Sequence, residues 1–216
     1  MFNHPDIRFV AIEGVIGAGK TTLCNILAER WNARLFLEEF EENPFLADFY
    51  KNPKAYAFQA QMFFLLSRHR QFSQNLNQGD LFHPVTISDY TFQKDRIFAS
   101  INLQDSEYMM YDKIATLLEK ELSAPDFIVY LQASIPTLLK RISKRDRPME
   151  RNIQEKYLVE LTEQYNHHFF NMVDSPVLIV NTDHIDFVER PGDLQQLIRR
   201  IEQFPAGTTV FSPMSV

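Results

Sequence analysis

The sequence predicts an α/β fold in which helices flank a five-stranded parallel sheet. Short segments rich in β-branched, aliphatic and aromatic residues recur along the chain, and long stretches with helical spacing separate them. Few hairpin signals join these segments, and strands that are linked through helices pair in parallel with both faces covered. The predicted strands are residues 7–12, 35–37, 85–88, 127–131 and 177–180.

Composition and charge bound the class of protein. With 216 residues, 45% of them hydrophobic and 23% charged, the chain is expected to form one globular domain over residues 1–216. The net charge of −6 argues against a broad face that binds a nucleic-acid polymer. No apolar stretch approaches the eighteen or so residues of a membrane span. Because Cys24 is the sole cysteine and no secretory pattern is present near the start, we expect a cytoplasmic protein with no membrane partner.

The first predicted strand runs directly into a glycine-rich loop, Gly14-Val15-Ile16-Gly17-Ala18-Gly19-Lys20-Thr21. This is the P-loop pattern G-x-x-x-x-G-K-[ST]. Its glycines let successive backbone N–H groups point at a phosphate, Lys20 reaches the outer phosphates, and the Thr21 hydroxyl ligates Mg²⁺. A regulatory GTPase would also need N-K-x-D and D-x-x-G segments, and the sequence contains neither.

Acidic residues follow two further strands, at the edge where ligands of parallel sheets bind. Glu38 and Glu39 come directly after the second strand and Asp89 after the third. A carboxylate there accepts the proton of an attacking hydroxyl when the phosphoryl acceptor is an alcohol. Neighbouring residues of a strand face opposite ways, so we expect only one glutamate to point into the site. Two solvated acids at a strand end are the alternative.

The long stretch 53–76 shows the clearest helical spacing of apolar residues. Gln61 and Arg68 lie seven residues apart on it and therefore share a face, among aromatic and aliphatic neighbours. An amide pairs with a Watson–Crick edge, and a guanidinium donates to purine O6 or N7. This face is consistent with a surface that reads a nucleobase, and a satisfied structural contact is the alternative.

Several of these segments together resemble the deoxynucleoside kinase family, in order and spacing from about residue 9 to residue 187. The bacterial deoxyguanosine and deoxyadenosine kinases form the most similar branch. The segments that carry the resemblance are the P-loop from Ala11 through Thr22, the stretch Glu38-Glu39-Phe40-Glu41-Glu42-Asn43-Pro44-Phe45-Leu46, the helix from Gln61 to Arg68, Ser88-Asp89-Tyr90, and Arg145-Asp146-Arg147-Pro148-Met149-Glu150.

The resemblance implies a P-loop kinase fold with an Arg-rich lid at about residues 141–152, ATP and Mg²⁺ as cofactors, and a small deoxynucleoside as substrate. It makes Glu38 the general base for the 5′-hydroxyl and places Gln61 and Arg68 at the nucleobase. A homodimer is implied too, formed by helix 53–76 and apolar positions between Tyr108 and Leu122, for which ordinary core packing is the alternative. The other implied roles are 3′-hydroxyl binding by Tyr50 and Glu150, a clamp of Asp95 on Arg68, Mg²⁺ binding by Asp89, phosphate neutralisation by Lys20, Arg141, Arg145 and Arg147, and adenine packing by Phe187.

Three departures from the family pattern concern the site. The acid-Arg-Ser triplet of the family reads Asp89-Tyr90-Thr91 here, so a cation near the base is missing, and Arg141 or Arg147 is our hypothesis for its replacement. The segment 89–98 is one residue shorter than in the animal enzymes, which leaves the register of Asp95 open. Asp146 stands where a lid glycine is common.

The sequence therefore predicts transfer of the γ-phosphate of ATP to the 5′-hydroxyl of a purine deoxynucleoside, in nucleotide salvage. A glutamine amide can turn over, so adenine and guanine both remain open. Two alternatives stand beside this prediction. A nucleoside monophosphate kinase similar to thymidylate kinase would need an arginine for the acceptor phosphate and no carboxylate base at Glu38. A non-catalytic nucleotide-binding regulator would bind ATP without turnover.

Overall fold

The computed structural model describes residues 4–39, 42–76, 82–151 and 153–213. In this part of the chain a single parallel sheet has the strand order β2-β3-β1-β4-β5-β6. β1 lies inside the sheet between β3 and β4, with Ala11 opposite Ser88 on one side and Gly14 opposite Leu131 on the other. The strands are β1 (Phe9–Gly14), β2 (Arg34–Phe36), β3 (Thr86–Ser88), β4 (Phe127–Gln132), β5 (Val177–Asn181) and β6 (Thr208–Phe211).

Eight α-helices of the described chain connect and cover these strands. The longest has the bounds that the sequence predicts, residues 53–76. A 3₁₀ turn, Pro148–Glu150, follows the sixth helix. The helices are α1 (Lys20–Trp31), α2 (Leu46–Lys51), α3 (Pro53–Leu76), α4 (Lys94–Asn102), α5 (Asp105–Glu119), α6 (Ile135–Arg145), α7 (Glu155–Phe170) and α8 (Pro191–Ile201).

The sheet has six strands, so the predicted number of five is wrong. The missed strand β6 pairs in parallel with β5, with Val177 opposite Thr208. It is a four-residue edge strand whose side chains alternate between exposed and half-buried. Such a short strand carries little apolar signal, and its β-branched run after the positive-φ Gly207 is its only local mark.

The core follows from burial of the inner strands on both faces. All six residues of β1 are buried, as are the residues of β4 and β5 up to their last positions. Continuous apolar strands of this kind are typical of a parallel sheet that helices cover on both sides. Across the described residues, we find no helix with the length and apolar character of a membrane span.

α3 packs a mixed face against the body of the protein. Its buried residues recur every three or four positions, as expected for one helical face. That face includes Gln61 and Arg68, each about 4% exposed, beside apolar Ala57, Leu65 and Phe72. Polar side chains that are buried this deeply need partners, and these partners define the site.

Candidate active site

The carboxyl ends of β1, β2 and β3 open onto a cavity of about 220 Å³. β1 leads into the P-loop, which contributes Lys20 and Thr21 to the wall, while Glu38 and Asp89 follow β2 and β3. The opposite wall comes from α2, α3, the start of α4 and the lid. Its lining residues include Tyr50, Gln61, Phe64, Arg68, Lys94, Arg145, Arg147 and Glu150.

The P-loop curls because its glycines take backbone angles that other residues avoid. Gly14 has φ 154°, and a Cβ atom there would lie 2.7 Å from the Leu131 carbonyl oxygen. Gly19 has φ 98°, and its Cβ would lie 2.9 Å from Cζ of Phe187. Only glycine fits either position without displacing a neighbour. The loop ends at Gly19, and α1 begins at Lys20 with its N-terminus at the loop.

Lys20 folds back over the P-loop. Its Nζ donates hydrogen bonds to the carbonyl oxygens of Gly14, at 2.8 Å, and Val15, at 3.3 Å. Burial and the nearby Lys94 charge lower the pKa of Lys20 to about 8, although surrounding carboxylates oppose this shift. A bound polyphosphate would stabilise the charged form of this buried ammonium, because it would replace the carbonyl partners with groups of formal negative charge.

Thr21 and Asp89 form the oxygen-donor pair of the site. The Thr21 hydroxyl donates to Asp89 Oδ2 at 2.6 Å, and Asp89 Oδ1 accepts the backbone N–H of Glu38 at 2.9 Å. Mg²⁺ prefers oxygen ligands and usually takes one or two protein groups together with substrate phosphates. A hydroxyl and a carboxylate at the mouth of a P-loop therefore fit this ion.

Glu38 lies between two cations from different helices. Arg68 of α3 holds Oε1 with both Nε, at 3.1 Å, and Nη2, whereas Lys94 of α4 donates to Oε2 at 2.5 Å. Burial raises the pKa of Glu38, but Lys94 and Arg68 outweigh it and hold that pKa well below its usual range. The neighbouring Glu39 is exposed. One glutamate of the pair thus lines the cavity, as a charged carboxylate.

Asp95 lies on the far side of Arg68. It is fully buried, pairs with Arg68 Nη1, and accepts a hydrogen bond from the Tyr111 hydroxyl at 2.8 Å. The structure thus brings Asp95 against Arg68 in spite of the shortened segment before it. Burial raises the pKa of Asp95 even though the Arg68 charge opposes this.

Gln61 has an unsatisfied amide at the cavity wall. Its Oε1 atom is buried and has no hydrogen-bond partner among the described residues. An orphaned buried amide oxygen costs about 1–3 kcal/mol. A ligand that donates a hydrogen bond to Oε1 would recover this cost.

Three residues of the predicted lid, Arg145, Arg147 and Glu150, line the first cavity, and Arg145 also lines a second cavity. Glu150 is buried and pairs with Arg145 Nη2, and Arg147 Nη1 lies 3.6 Å from Glu150 Oε1. Tyr50 lines the same cavity, and burial, with Tyr157 and Glu150 nearby, raises its pKa well above the usual range. The last residue of the predicted lid, 152, lies outside the described residues, as do residues 40 and 41 of the Glu38 stretch.

A second cavity of about 680 Å³ lies on the other side of the P-loop. Gly17, Gly19 and Thr22 line it together with Arg141 and Phe187. Arg141 donates to the Thr182 hydroxyl and carbonyl oxygens, both at 2.9 Å, and does not line the first cavity. Phe187 is buried against Gly19. P-loop residues thus line two cavities.

Comparison with known proteins decides the family. The family described as deoxynucleoside kinase matches residues 10–205. The chain belongs to the deoxynucleoside kinase family. It is an enzyme of that class, which favours a nucleoside acceptor over the nucleoside monophosphate and regulator alternatives.

Individual members of the family resemble the chain over most of its length. It is 39% identical over 203 residues to the deoxyguanosine kinase of Bacillus subtilis, covering 90% of this chain and 96% of the relative. It is 34% identical over 195 residues to the deoxyadenosine kinase of Dictyostelium discoideum, covering 88% and 77%. The structure of deoxyadenosine kinase from M. mycoides with bound dATP superposes with a TM-score of 0.77 at 28% identity, covering 89% of this chain and 98% of that one.

Two buried charged residues near the first cavity were not identified by the sequence analysis. One is Lys94, which contacts Glu38. The other is Glu13, which is buried beneath the P-loop and accepts hydrogen bonds from the Thr91 N–H at 2.7 Å and the Thr91 hydroxyl at 2.8 Å. Lys94 lies 56 residues from Glu38 in the chain, and no local pattern marks such a pair. Glu13 precedes the first P-loop glycine, and that position is the only available signal.

The departures from the family pattern have local structural explanations. Tyr90 is buried, and its hydroxyl donates to Gln71 rather than reaching the cavity. Asp146 ends α6 with φ 51°, the left-handed conformation that glycine adopts most readily. Its carboxylate also accepts Arg151 Nε at 2.8 Å. An aspartate tolerates this conformation better than most side chains, and its ion pair links the end of α6 to Arg151.

Proposed function

We propose that this deoxynucleoside kinase transfers the γ-phosphate of ATP to the 5′-hydroxyl of a purine deoxynucleoside. The observation that carries the proposal is the position of Glu38. Its carboxylate faces the first cavity, with Lys20 and Thr21 of the P-loop on one side and the unsatisfied Gln61 amide on the other wall. A sugar alcohol in that cavity would lie between a base and a phosphate-binding loop.

The chemistry needs one proton transfer and one displacement. Glu38 accepts the proton of the 5′-hydroxyl, the 5′-oxygen forms a bond to the γ-phosphorus, and the bond from that phosphorus to the β–γ bridging oxygen breaks to release ADP. Lys20 neutralises the outer phosphates. Mg²⁺, held by Thr21 and Asp89, supplies further neutralisation of phosphate charge when bound. Little covalent chemistry falls to the protein, so alignment and charge dominate.

The lid and the second cavity fit the donor nucleotide. Arg145 lines both cavities, and Arg147 lines the first, so both lie where phosphate charge is transferred. Arg141 and Phe187 line the second cavity, where we place the adenosine part of ATP, with Phe187 against the adenine. Tyr50 and Glu150 remain our candidates for the 3′-hydroxyl, since both line the first cavity near its lid.

A purine acceptor is supported by Gln61 and Arg68 and by the relatives named deoxyguanosine and deoxyadenosine kinase. The Gln61 amide pairs with adenine N1 and N6 or, turned over, with guanine O6 and N1. Arg68 is committed to Glu38 and Asp95, which fixes its plane at the cavity wall. We propose nucleotide salvage in the cytoplasm as the setting.

A phosphate-transfer panel tests the function. The four deoxynucleosides, their ribose counterparts and the corresponding monophosphates are offered with ATP and Mg²⁺, and product is identified by mass. We expect 5′-monophosphates from deoxyguanosine or deoxyadenosine at the highest kcat/KM. Preferred turnover of the monophosphates, or ATP binding without turnover of any nucleoside, would contradict the proposal.

We also propose a homodimer through α3 and α5. The two helices pack against each other, and large apolar side chains remain exposed on them at Leu66, Met109, Met110 and Leu117. Exposed apolar side chains concentrated on one pair of helices are typical of an interface. Light scattering should give twice the mass of one chain, and Leu117→Glu should shift the protein to monomer. A wild-type monomer at micromolar concentration would refute this arrangement.

A further inference from the structure

Lys94 is a buried cation inside the first cavity that none of the predicted roles includes. Its side chain extends from the first turn of α4, and the residue is about 5% exposed. Burying an ammonium is unfavourable unless a carboxylate compensates for the lost water. In the described part of the chain, the acceptor for its Nζ is Glu38 Oε2, at 2.5 Å.

Two aromatic rings flank the Lys94 ammonium. Nζ lies 5.9 Å from the Tyr90 ring centroid and 5.8 Å from that of Phe98. Tyr90 occupies the position after Asp89 where a cation was missing from the sequence, and its own hydroxyl turns away to Gln71. Arg141 is tied to Thr182 in the second cavity. Lys94 is therefore the cation that meets the free side of Glu38.

The two carboxylate oxygens of Glu38 accept different numbers of hydrogen bonds. Oε1 accepts two from Arg68, through Nε and Nη2, and Oε2 accepts one from Lys94 among the described groups. A carboxylate oxygen has two lone pairs for hydrogen bonds. Oε1 is thus filled, and Oε2 retains one site. The proton of an attacking hydroxyl has to go to Oε2, directly beside Nζ.

We propose that Lys94 is a positioning residue for phosphoryl transfer, which holds Glu38 Oε2 toward the cavity as the proton-accepting atom while Arg68 fixes Oε1. This inference rests on the proposed role of Glu38 as base. During the step the 5′-hydroxyl proton passes to Oε2 and the freed electron pair forms the bond to the γ-phosphorus, whose bond to the β–γ bridging oxygen breaks. Lys94 takes no part in the proton transfer itself.

Lys94→Met tests the proposal, because methionine keeps most of the length of the side chain and removes the charge. We expect kcat with deoxyguanosine or deoxyadenosine to fall by about 10²-fold, the scale of losing an oriented base, while the KM for ATP changes by less than about threefold. Lys94→Arg should recover much of the loss. Arg96→Met removes a cation two residues further along α4 that pairs instead with Asp112 and Glu119, and it should leave kcat unchanged.

A double-mutant cycle separates failure of Lys94 from failure of Glu38. If Lys94 acts through Glu38, adding Lys94→Met to Glu38→Gln should lower kcat by less than about threefold. Equal fold-losses in both backgrounds would overturn the Lys94 proposal and leave the base in place. Wild-type turnover by Glu38→Gln would instead remove the base and the positioning role with it.

Chemical rescue keeps the test decisive if Lys94→Met is poorly folded. Lys94→Cys treated with 2-bromoethylamine regains an ammonium of nearly the same reach. The sole native cysteine, Cys24, is buried, and burial raises its thiol pKa, so the treated wild type serves as the control. Recovery of kcat by at least about tenfold on aminoethylation supports the proposal. A stably folded, fully aminoethylated protein without recovery would overturn it.

Discussion

Four ionisable side chains meet at the segment after β2 and the helices α3 and α4, in the order Lys94, Glu38, Arg68 and Asp95. Each carboxylate has a cation against it, and Arg68 bridges the two acids. Removing one member of a buried pair leaves an uncompensated charge and costs about 3–5 kcal/mol. The cluster therefore fixes the geometry of Glu38 strongly, and it holds the carboxylate ionised.

Replacing Glu38 with Gln removes the proton acceptor and keeps the shape of the side chain. We expect kcat to fall by at least about 10²-fold, the usual effect of losing a general base, with nucleoside KM changed little. Glu39→Gln is the matched control, since Glu39 is the next residue in the chain and is exposed. Steady-state kinetics of both variants should separate them, and equal kcat values would remove Glu38 from the mechanism.

Gln61→Ala should weaken recognition of the nucleobase selectively. Losing the amide removes a hydrogen-bonding partner worth about 1–3 kcal/mol, so KM for purine nucleosides should rise by about tenfold or more while KM for ATP stays near the wild-type value. Gln59→Ala removes the same side chain from an exposed position two residues away on α3. Equal effects of Gln61→Ala on both substrates would argue against base recognition.

The lowered pKa of Lys20 predicts proton uptake on ATP binding. In the free enzyme that pKa is about 8, and a bound triphosphate raises it, because negative charge favours the ammonium. ATP affinity should therefore be constant below about pH 8 and fall as the pH rises above that value. Calorimetry at pH 8.5 in two buffers of different ionisation enthalpy should show uptake of a fraction of a proton. Binding with no proton exchange would contradict this.

At the scale of elements, the P-loop and the loop after β5 are packed together. The Phe187 ring contacts Gly19. The P-loop and the side chain that we propose to pack against adenine therefore touch each other. The left-handed angle of Gly19 makes that contact possible. If ATP binds as proposed, a change in either loop should alter its affinity.

Gly19→Ala should disturb this contact and strain the backbone at once. The new methyl group would meet Phe187 Cζ at 2.9 Å, at a φ of 98° that is unfavourable for alanine. We expect KM for ATP to rise by about tenfold or more, with a loss of about 1–3 kcal/mol in stability, measured by kinetics and denaturant unfolding. Gly192→Ala, where a Cβ has no neighbour within 4 Å, is the control. Equal KM values in the two variants would show that the contact is unimportant.

Elements with strong local signals were predictable, and those that depend on distant partners were not. The bounds of α3 follow from its apolar spacing, and the presence of a strand before the P-loop follows from the glycine pattern, although β1 spans Phe9–Gly14 rather than the predicted 7–12. β6 was missed because a short exposed edge strand is stabilised by pairing with β5 rather than by its own sequence. Lys94 was missed for the same reason, since only the packing of α4 against α3 brings it to Glu38.

At the scale of the whole molecule, the parallel sheet brings the chemistry together. β1 lies inside the sheet, so its P-loop opens beside the ends of β2 and β3, which place Glu38 and Asp89 at the same edge. P-loop residues line both the first cavity and the larger second cavity, which we propose hold the acceptor and the donor. This arrangement is consistent with the proposed transfer of a phosphoryl group between two ligands that meet near Lys20.

The structure of the enzyme crystallised with deoxyguanosine or deoxyadenosine and a non-hydrolysable ATP analogue tests the central claim most directly. We predict the 5′-oxygen within about 3 Å of Glu38 Oε2, on the line toward the γ-phosphorus, with the nucleobase against Gln61. A nucleoside whose 5′-oxygen faces solvent, beyond hydrogen-bond reach of Glu38, would contradict the account.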